Sequence, residues 1–153
     1  MALLDDRELG AWKGFLRTHQ RIVALLDAEL TQRHGISLAS YEVLMQLADA
    51  PGGRLRMSTV ADGLLLSRSG LTRLIDRLER RGLVGREPCE DDARGMYAVL
   101  SAAGRERIDA ARPDHLAGVR RQFLGLLGVA EQEDLGELWR RIDAELDEPA
   151  HPA

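Results

Sequence analysis

Residues 66–86, LSRSGLTRLIDRLERRGLVGR, constrain the fold more than any other stretch of the chain. Leu71, Leu74, Ile75 and Leu78 fall at i, i+3, i+4 and i+7, the spacing that lines one side of an α-helix. The opposite side then carries Arg68, Ser69, Thr72, Arg73, Asp76, Arg77 and Arg80. Ser67 is the expected N-cap, because a short hydroxyl accepts from the open amides of a first turn. Gly82 is the expected end, because glycine enters the left-handed conformation without a Cβ clash. One side of this helix must therefore be buried, while the other is built of hydrogen-bonding and basic groups.

The charge of this region stands against that of the chain. The 153 residues carry a formal net charge of −4. Between Arg54 and Arg86 there are eight arginines against three carboxylates (Asp62, Asp76 and Glu79), a net +5, so the remainder carries −9. A basic island in an acidic chain points to a polyanion such as nucleic acid. The alternative is a solvated helix laced with its own salt bridges.

The flanking segments supply a scaffold. Leu9, Trp12, Leu16, His19, Val23, Leu26 and Leu30 alternate by three and four residues, a heptad-like seam on one long helix that Gly35 ends. Ser37 caps an expected helix over LASYEVLMQLAD, with Leu38, Tyr41, Leu44, Met45 and Ala48 inward and the PGG of residues 51–53 as its stop. RLRM reads as a short extended piece. Ser58 then caps a helix over TVADGLLL that turns Val60, Ala61 and Leu64 inward. LVGREPC and MYAVLS alternate like strands around a polar tip, EDDARG, with Gly95 in the turn. After a Ser101 cap come two C-terminal helices. Pro113 is expected to kink or interrupt the first, and the second places Leu135, Leu138, Trp139, Ile142 and Leu146 on one face.

Two short helices, an amphipathic helix and a hairpin, in that order, describe a winged helix-turn-helix. The set Leu78, Glu79, Arg80, Arg81, Gly82, Leu83 and Val84, followed by Asp92, Arg94, Leu100 and Ser101, resembles the MarR family of bacterial transcription regulators. The likeness is strongest from Ser37 to Gly104. Gly70 departs from it, standing where a β-branched residue is usual. The fold class expected is mainly α with a small β-hairpin wing. Residues 1–36 form an N-terminal dimerisation helix, 37–100 a DNA-binding lobe, 101–147 C-terminal dimerisation helices and 148–153 a flexible tail. The resemblance implies a homodimer that binds a palindromic operator in double-stranded DNA, acting as a repressor released by a small aromatic or acidic effector. Each recognition helix would enter a major groove and each wing a minor groove.

Residue roles follow from the chemistry of the duplex. Base contacts choose sequence and phosphate contacts hold register. Arg68 and Arg73, near the start of the helix, suit the O6/N7 edge of guanine. Ser67, Ser69 and Thr72 suit phosphate or mixed contacts, though Ser67 reads equally as a pure cap. Arg77, a turn further on, suits phosphate. Arg80 and Arg81 are expected to be structural charge, Arg80 pairing with Asp76, Glu79 or the wing acids. Arg94 is the wing residue for a narrow minor groove, whose potential is strongly negative. By resemblance, Asp92 orients Arg94.

Trp12, His19, Tyr41 and Met45 are the candidate effector-binding residues, although rings on a heptad face more often simply pack. Cys89, the single cysteine, precludes an internal disulfide and fits a reducing cytoplasm, the expected location. No acid-free cationic neighbourhood favours its thiolate, so redox sensing is not its expected role. His19, His34, His115 and His151 have no metal-ligand spacing, and neither metal nor cofactor is expected. No run approaches a membrane span, and MALLDDRELG lacks the features of a signal peptide. With no GxGxxG, P-loop or nucleophile elbow, the chain is not expected to be an enzyme. The competing reading is a winged-helix protein-interaction module without specific DNA binding.

Overall fold

The structure, a computed structural model, describes residues 3–64, 68–89 and 92–147; at 68 and 92–94 it describes the backbone alone. The chain forms two compact units, Met1–Gly118 and Val119–Ala153. The first contains the winged helix and the long N-terminal helix.

Helix α1 spans Asp6–His34. Asp5 and Glu8 form a reciprocal capping box at its start, each side chain 2.8 Å from the other's amide nitrogen. Gly35, at φ 64°, ends the helix as its spacing predicted, donating its N–H to the Thr31 carbonyl. The heptad seam divides. Leu26 and Leu30 are buried in their own unit, while Trp12, Leu16 and Val23 stay exposed.

Helix α2 (Leu38–Asp49) has two caps. The Ser37 hydroxyl accepts from the Ser40 N–H at 3.2 Å, and Asp27 of α1 accepts from the Leu38 N–H at 2.8 Å. Its inward face is wider than its spacing suggested. Val43 and Leu47 are fully buried beside Leu38, Tyr41 and Leu44, while Met45 and Ala48 are only half-buried. The helix is enclosed on more than one side, so a single stripe under-describes it.

The extended RLRM piece is a true strand, β1 (Arg54–Arg56), that adds a third member to the hairpin. The sheet order is β1-β3-β2, all antiparallel, with Leu55 opposite Ala98. Strand β1 runs directly into α3 (Met57–Gly63), which displaces the expected cap. Arg56 occupies the N-cap position and makes no side-chain capping bond there, and Ser58 lies exposed inside the first turn. Val60 and Ala61 are buried as expected, and Leu64 is half-buried.

Helix α4 (Arg68–Arg80) follows. Leu71, Leu74, Ile75 and Leu78 are each no more than 2% exposed. Each such side chain contributes roughly 1.5–3 kcal/mol when withdrawn from water. The helix closes with a Schellman turn. Gly82 (φ 69°) donates to the Glu79 carbonyl, Leu83 donates to that of Leu78, and both leucines are buried. The expected cap, Ser67, lies outside the described residues.

Strands β2 (Val84–Cys89) and β3 (Asp92–Leu100) form the wing. The hairpin differs from the expected one at its tip. Gly95 lies within β3 and not in the turn, because the register slips between Pro88 and Cys89, so that Cys89 faces Asp92. Pro88 has no N–H to continue the ladder, which accounts for the irregularity at that place.

Helix α5 (Ala102–Gln122) is capped by Ser101, whose hydroxyl accepts from the Gly104 N–H at 2.9 Å. It runs through Pro113 without interruption. Anchors on both sides hold it: Arg107 donates to the His34 carbonyl and Arg112 pairs with Asp49 at 3.0 Å, while Asp114 meets Arg33 and His34.

In the second unit a 3-10 turn at Leu124–Leu126 leads into α6 (Val129–Asp147). The α5 helix thus ends six residues before the expected Gly128. Glu131 reaches back to the Gly128 N–H at 2.7 Å, and α6 leaves Leu138, Trp139 and Ile142 exposed, with Leu135 half-buried.

Candidate nucleic-acid interface

The outward side of α4 is the chemical centre of the winged lobe. Four buried aliphatic residues hold its inner side, so Ser69, Thr72, Arg73, Arg77 and Arg80 are exposed together. Arg68 begins the helix, and its side chain lies outside the described residues, as does Ser67. Gly70 sits half-buried in the first turn.

The acids of this helix do not neutralise its arginines. Asp76 and Glu79 both turn to Arg86 on β2, a residue that spacing along α4 did not single out. Its Nη2 lies 2.5 Å from Asp76 Oδ1 and its Nη1 2.7 Å from Glu79 Oε2. Nη2 also approaches the Thr72 carbonyl at 3.4 Å. The Arg86 side chain is 24% exposed, so this fork is screened less than an open surface pair. Among the described residues, Arg73, Arg77 and Arg80 enter no ion pair. The expected pairing of Arg80 with Asp76 or Glu79 is therefore replaced by pairing of those acids with Arg86. Arg81 points elsewhere, with its Nη2 beside Gly35 at the end of α1.

The wing brings Asp92 and Arg94 onto one strand, two residues apart, and their side chains lie outside the described residues. On the same sheet, Arg54 lies 5.0 Å and Arg56 6.0 Å from the centre of the Tyr97 ring, with Arg54 also 3.8 Å from Glu87. The period-two pattern of RLR was the signal for this pair: alternate residues of a strand share a face.

The effector candidates fall into two groups. Trp12 and His19 flank Phe15 on the exposed side of α1, with ring centres 6.1 and 6.0 Å from it. Tyr41 is buried on α2 with its ring 4.3 Å from that of His115, and Met45 lies a turn further along α2. A cavity of about 10 Å³, room for one water, lies where α1 meets α5 and is lined by Leu26, Leu30, Arg33, His34, Asp114 and His115. None of the four candidates lines it. Around it the charges are ordered. His34 Nε2 lies 2.9 Å from Asp114, and that bond, aided by Arg33, holds the Asp114 carboxyl below its usual range. Burial pushes the His115 imidazole below its ordinary value against the opposing pull of Glu29, and among the described residues its Nδ1 has no hydrogen-bond partner. Burial likewise raises the Tyr41 hydroxyl.

Cys89 is buried at the end of β2. Among the described residues no cluster of three or more His, Cys, Asp or Glu could hold a metal ion, and no helix is long and apolar enough to cross a membrane.

Residues 34–95 match the MarR family. The chain is 33% identical to the HTH-type transcriptional regulator YkoM of Bacillus subtilis over 85% of its own length and 82% of that protein. Its fold is similar to that of AbsC, a MarR family transcriptional regulator from Streptomyces coelicolor, with TM-score 0.89 and 36% identity over 95% of this chain and 98% of the other. It is equally similar to Sco3205, a MarR family regulator from the same organism whose structure was solved in complex with DNA, with TM-score 0.90 and 33% identity over 98% and 93% of the two chains. The exposed basic helix beside a three-stranded wing, the matched segment and the near full-length likeness agree: the chain belongs to the MarR family of transcriptional regulators.

Proposed function

We propose that this protein is a dimeric, sequence-specific DNA-binding regulator that represses by occupying a palindromic operator. The observation that carries this reading is the face of α4, where Arg73, Arg77 and Arg80 are exposed and unneutralised by the helix's own acids. In this reading Arg68 and Arg73 contact base edges in the major groove. Ser67, Ser69, Thr72 and Arg77 contact phosphate, and Arg94, oriented by Asp92, enters the minor groove. The DNA complex of the related Sco3205 supports it. Dimerisation is supported by the apolar residues that α1 leaves exposed (Trp12, Phe15, Leu16 and Val23) and, in the second unit, by those of α6. A cytoplasmic location follows from work on chromosomal DNA.

Release by a small aromatic or acidic effector is part of the proposal, with Trp12, His19, Tyr41 and Met45 as the contacting residues. Titration of the protein–DNA complex with simple phenolic acids tests that part.

The central experiment is selection of bound duplexes from a random pool. A palindrome with half-site centres about one helical turn apart is expected. Enrichment of no sequence would overturn the reading in favour of a protein-interaction module.

A further inference from the structure

Along α4, Thr72, Asp76 and Glu79 form one line at i, i+4 and i+7, and Arg73, Arg77 and Arg80 form the line beside it. On an isolated helix Asp76 would pair with Arg80, four residues on and in the favourable acid-first orientation, and with Arg73, three residues back. A helix of this sequence tends to cancel its own charge. In the folded lobe that tendency is overruled from outside the helix, because the Arg86 fork engages one oxygen of each acid. A planar guanidinium can hold two carboxylates at once in fixed geometry, which an ammonium cannot. The same contacts tie the base of the wing to the middle of α4.

We propose that Arg86 is a positioning residue for DNA binding, one that touches no DNA but withdraws Asp76 so that Arg73 and Arg80 remain available to the duplex, its second contact, to Glu79, fixing the guanidinium in place. This rests on the DNA-binding reading above. Without Arg86, Asp76 returns to the arginine line, and each arginine it recaptures is one fewer phosphate or base contact.

The test measures affinity for the selected operator, its dependence on salt, and thermal stability for four proteins: the parent, Arg86→Gln, Arg86→Lys, and the triple variant Arg86→Gln/Asp76→Asn/Glu79→Gln. Arg86→Gln is expected to bind about tenfold more weakly, with the slope of log affinity against log salt reduced by about one, the signature of a lost phosphate contact. Arg86→Lys, which cannot fork, is expected to fall between. The triple variant has no acid left to recapture the arginines. It is expected to regain parental affinity to within about threefold, with an undiminished salt slope. Stability need not recover with it, which separates positioning from simple support of the fold. Parental affinity in both single variants would overturn the proposal. So would a folded triple variant that binds as weakly as Arg86→Gln. Should Arg86→Gln fail to fold, Arg86→Lys and the triple variant still decide. Failure of the parent to enrich any DNA would instead refute the DNA-binding reading itself.

Discussion

The Ser101 hydroxyl donates to the Gly82 carbonyl at 2.6 Å. Through that bond, the residue that caps α5 also holds the end of the recognition helix. Ser101 accepts from the Gly104 N–H at 2.9 Å with the same oxygen, and its own N–H donates to the Leu83 carbonyl. The turn between α4 and β2 is thereby joined to the start of α5 at one residue.

Ser101→Ala is expected to lower stability by about 1–2 kcal/mol, since it loses a cap and strands a carbonyl. Ser101→Thr keeps the hydroxyl and should recover most of the loss. Urea denaturation followed by circular dichroism measures both.

Gly104 faces a tighter constraint. A Cβ built there would lie 2.1 Å from the Leu83 carbonyl oxygen and 2.7 Å from the Leu100 side chain. Backbone cannot yield as a flexible side chain can. Gly104→Ala is therefore expected to destabilise the lobe by about 1–3 kcal/mol despite alanine's better helix propensity. A denaturation midpoint at or above that of the parent would show that α5 can move away from Leu83.

Arg73→Ala and Arg94→Ala should each weaken operator binding without unfolding the protein. A lost base-reading arginine is worth roughly 1–3 kcal/mol, and the loss at Arg73 should relax preference at one base position. Mobility shift together with circular dichroism checks this, and unchanged affinity in both variants would remove these two residues from the interface.

Acid should weaken the fold in two steps. The folded-state value of His115 is depressed by burial below its ordinary 6.5, so the unfolded chain takes up the proton first. Its contribution is full above pH 6.5 and is lost as pH falls toward the folded value. Asp114 is also depressed, through His34 and Arg33, and its contribution is lost further down, below its ordinary 3.8. His115→Gln should flatten the stability profile between pH 6.5 and 3.8 while leaving the lower step, and Asp114→Asn should remove the lower step. Thermal denaturation across that range reads both slopes.

Much of the lobe was visible in local pattern. The buried line of Leu71, Leu74, Ile75 and Leu78 and the terminators Gly35 and Gly82 depend on helical geometry over a few residues, as does the Ser37 cap. Where a neighbour changed the local choice, the pattern failed. Ser58 lost its capping place because β1 feeds directly into α3, and Gly95 left the turn because the register slips at Pro88. Pro113 did not break α5, which is anchored to α1 on both sides of it and to α2 just before it.

Sequence by itself determined which side of α4 is greasy and which is basic, because a 3.6-residue period sorts side chains whatever surrounds them. It could not determine which charges on the basic side are free. Asp76 and Glu79 have arginines nearer in sequence than Arg86, and only the packing of β2 against α4 brings the Arg86 guanidinium to 2.5 and 2.7 Å from them. Coulombic partnership depends on distance and desolvation, and both are properties of the tertiary structure.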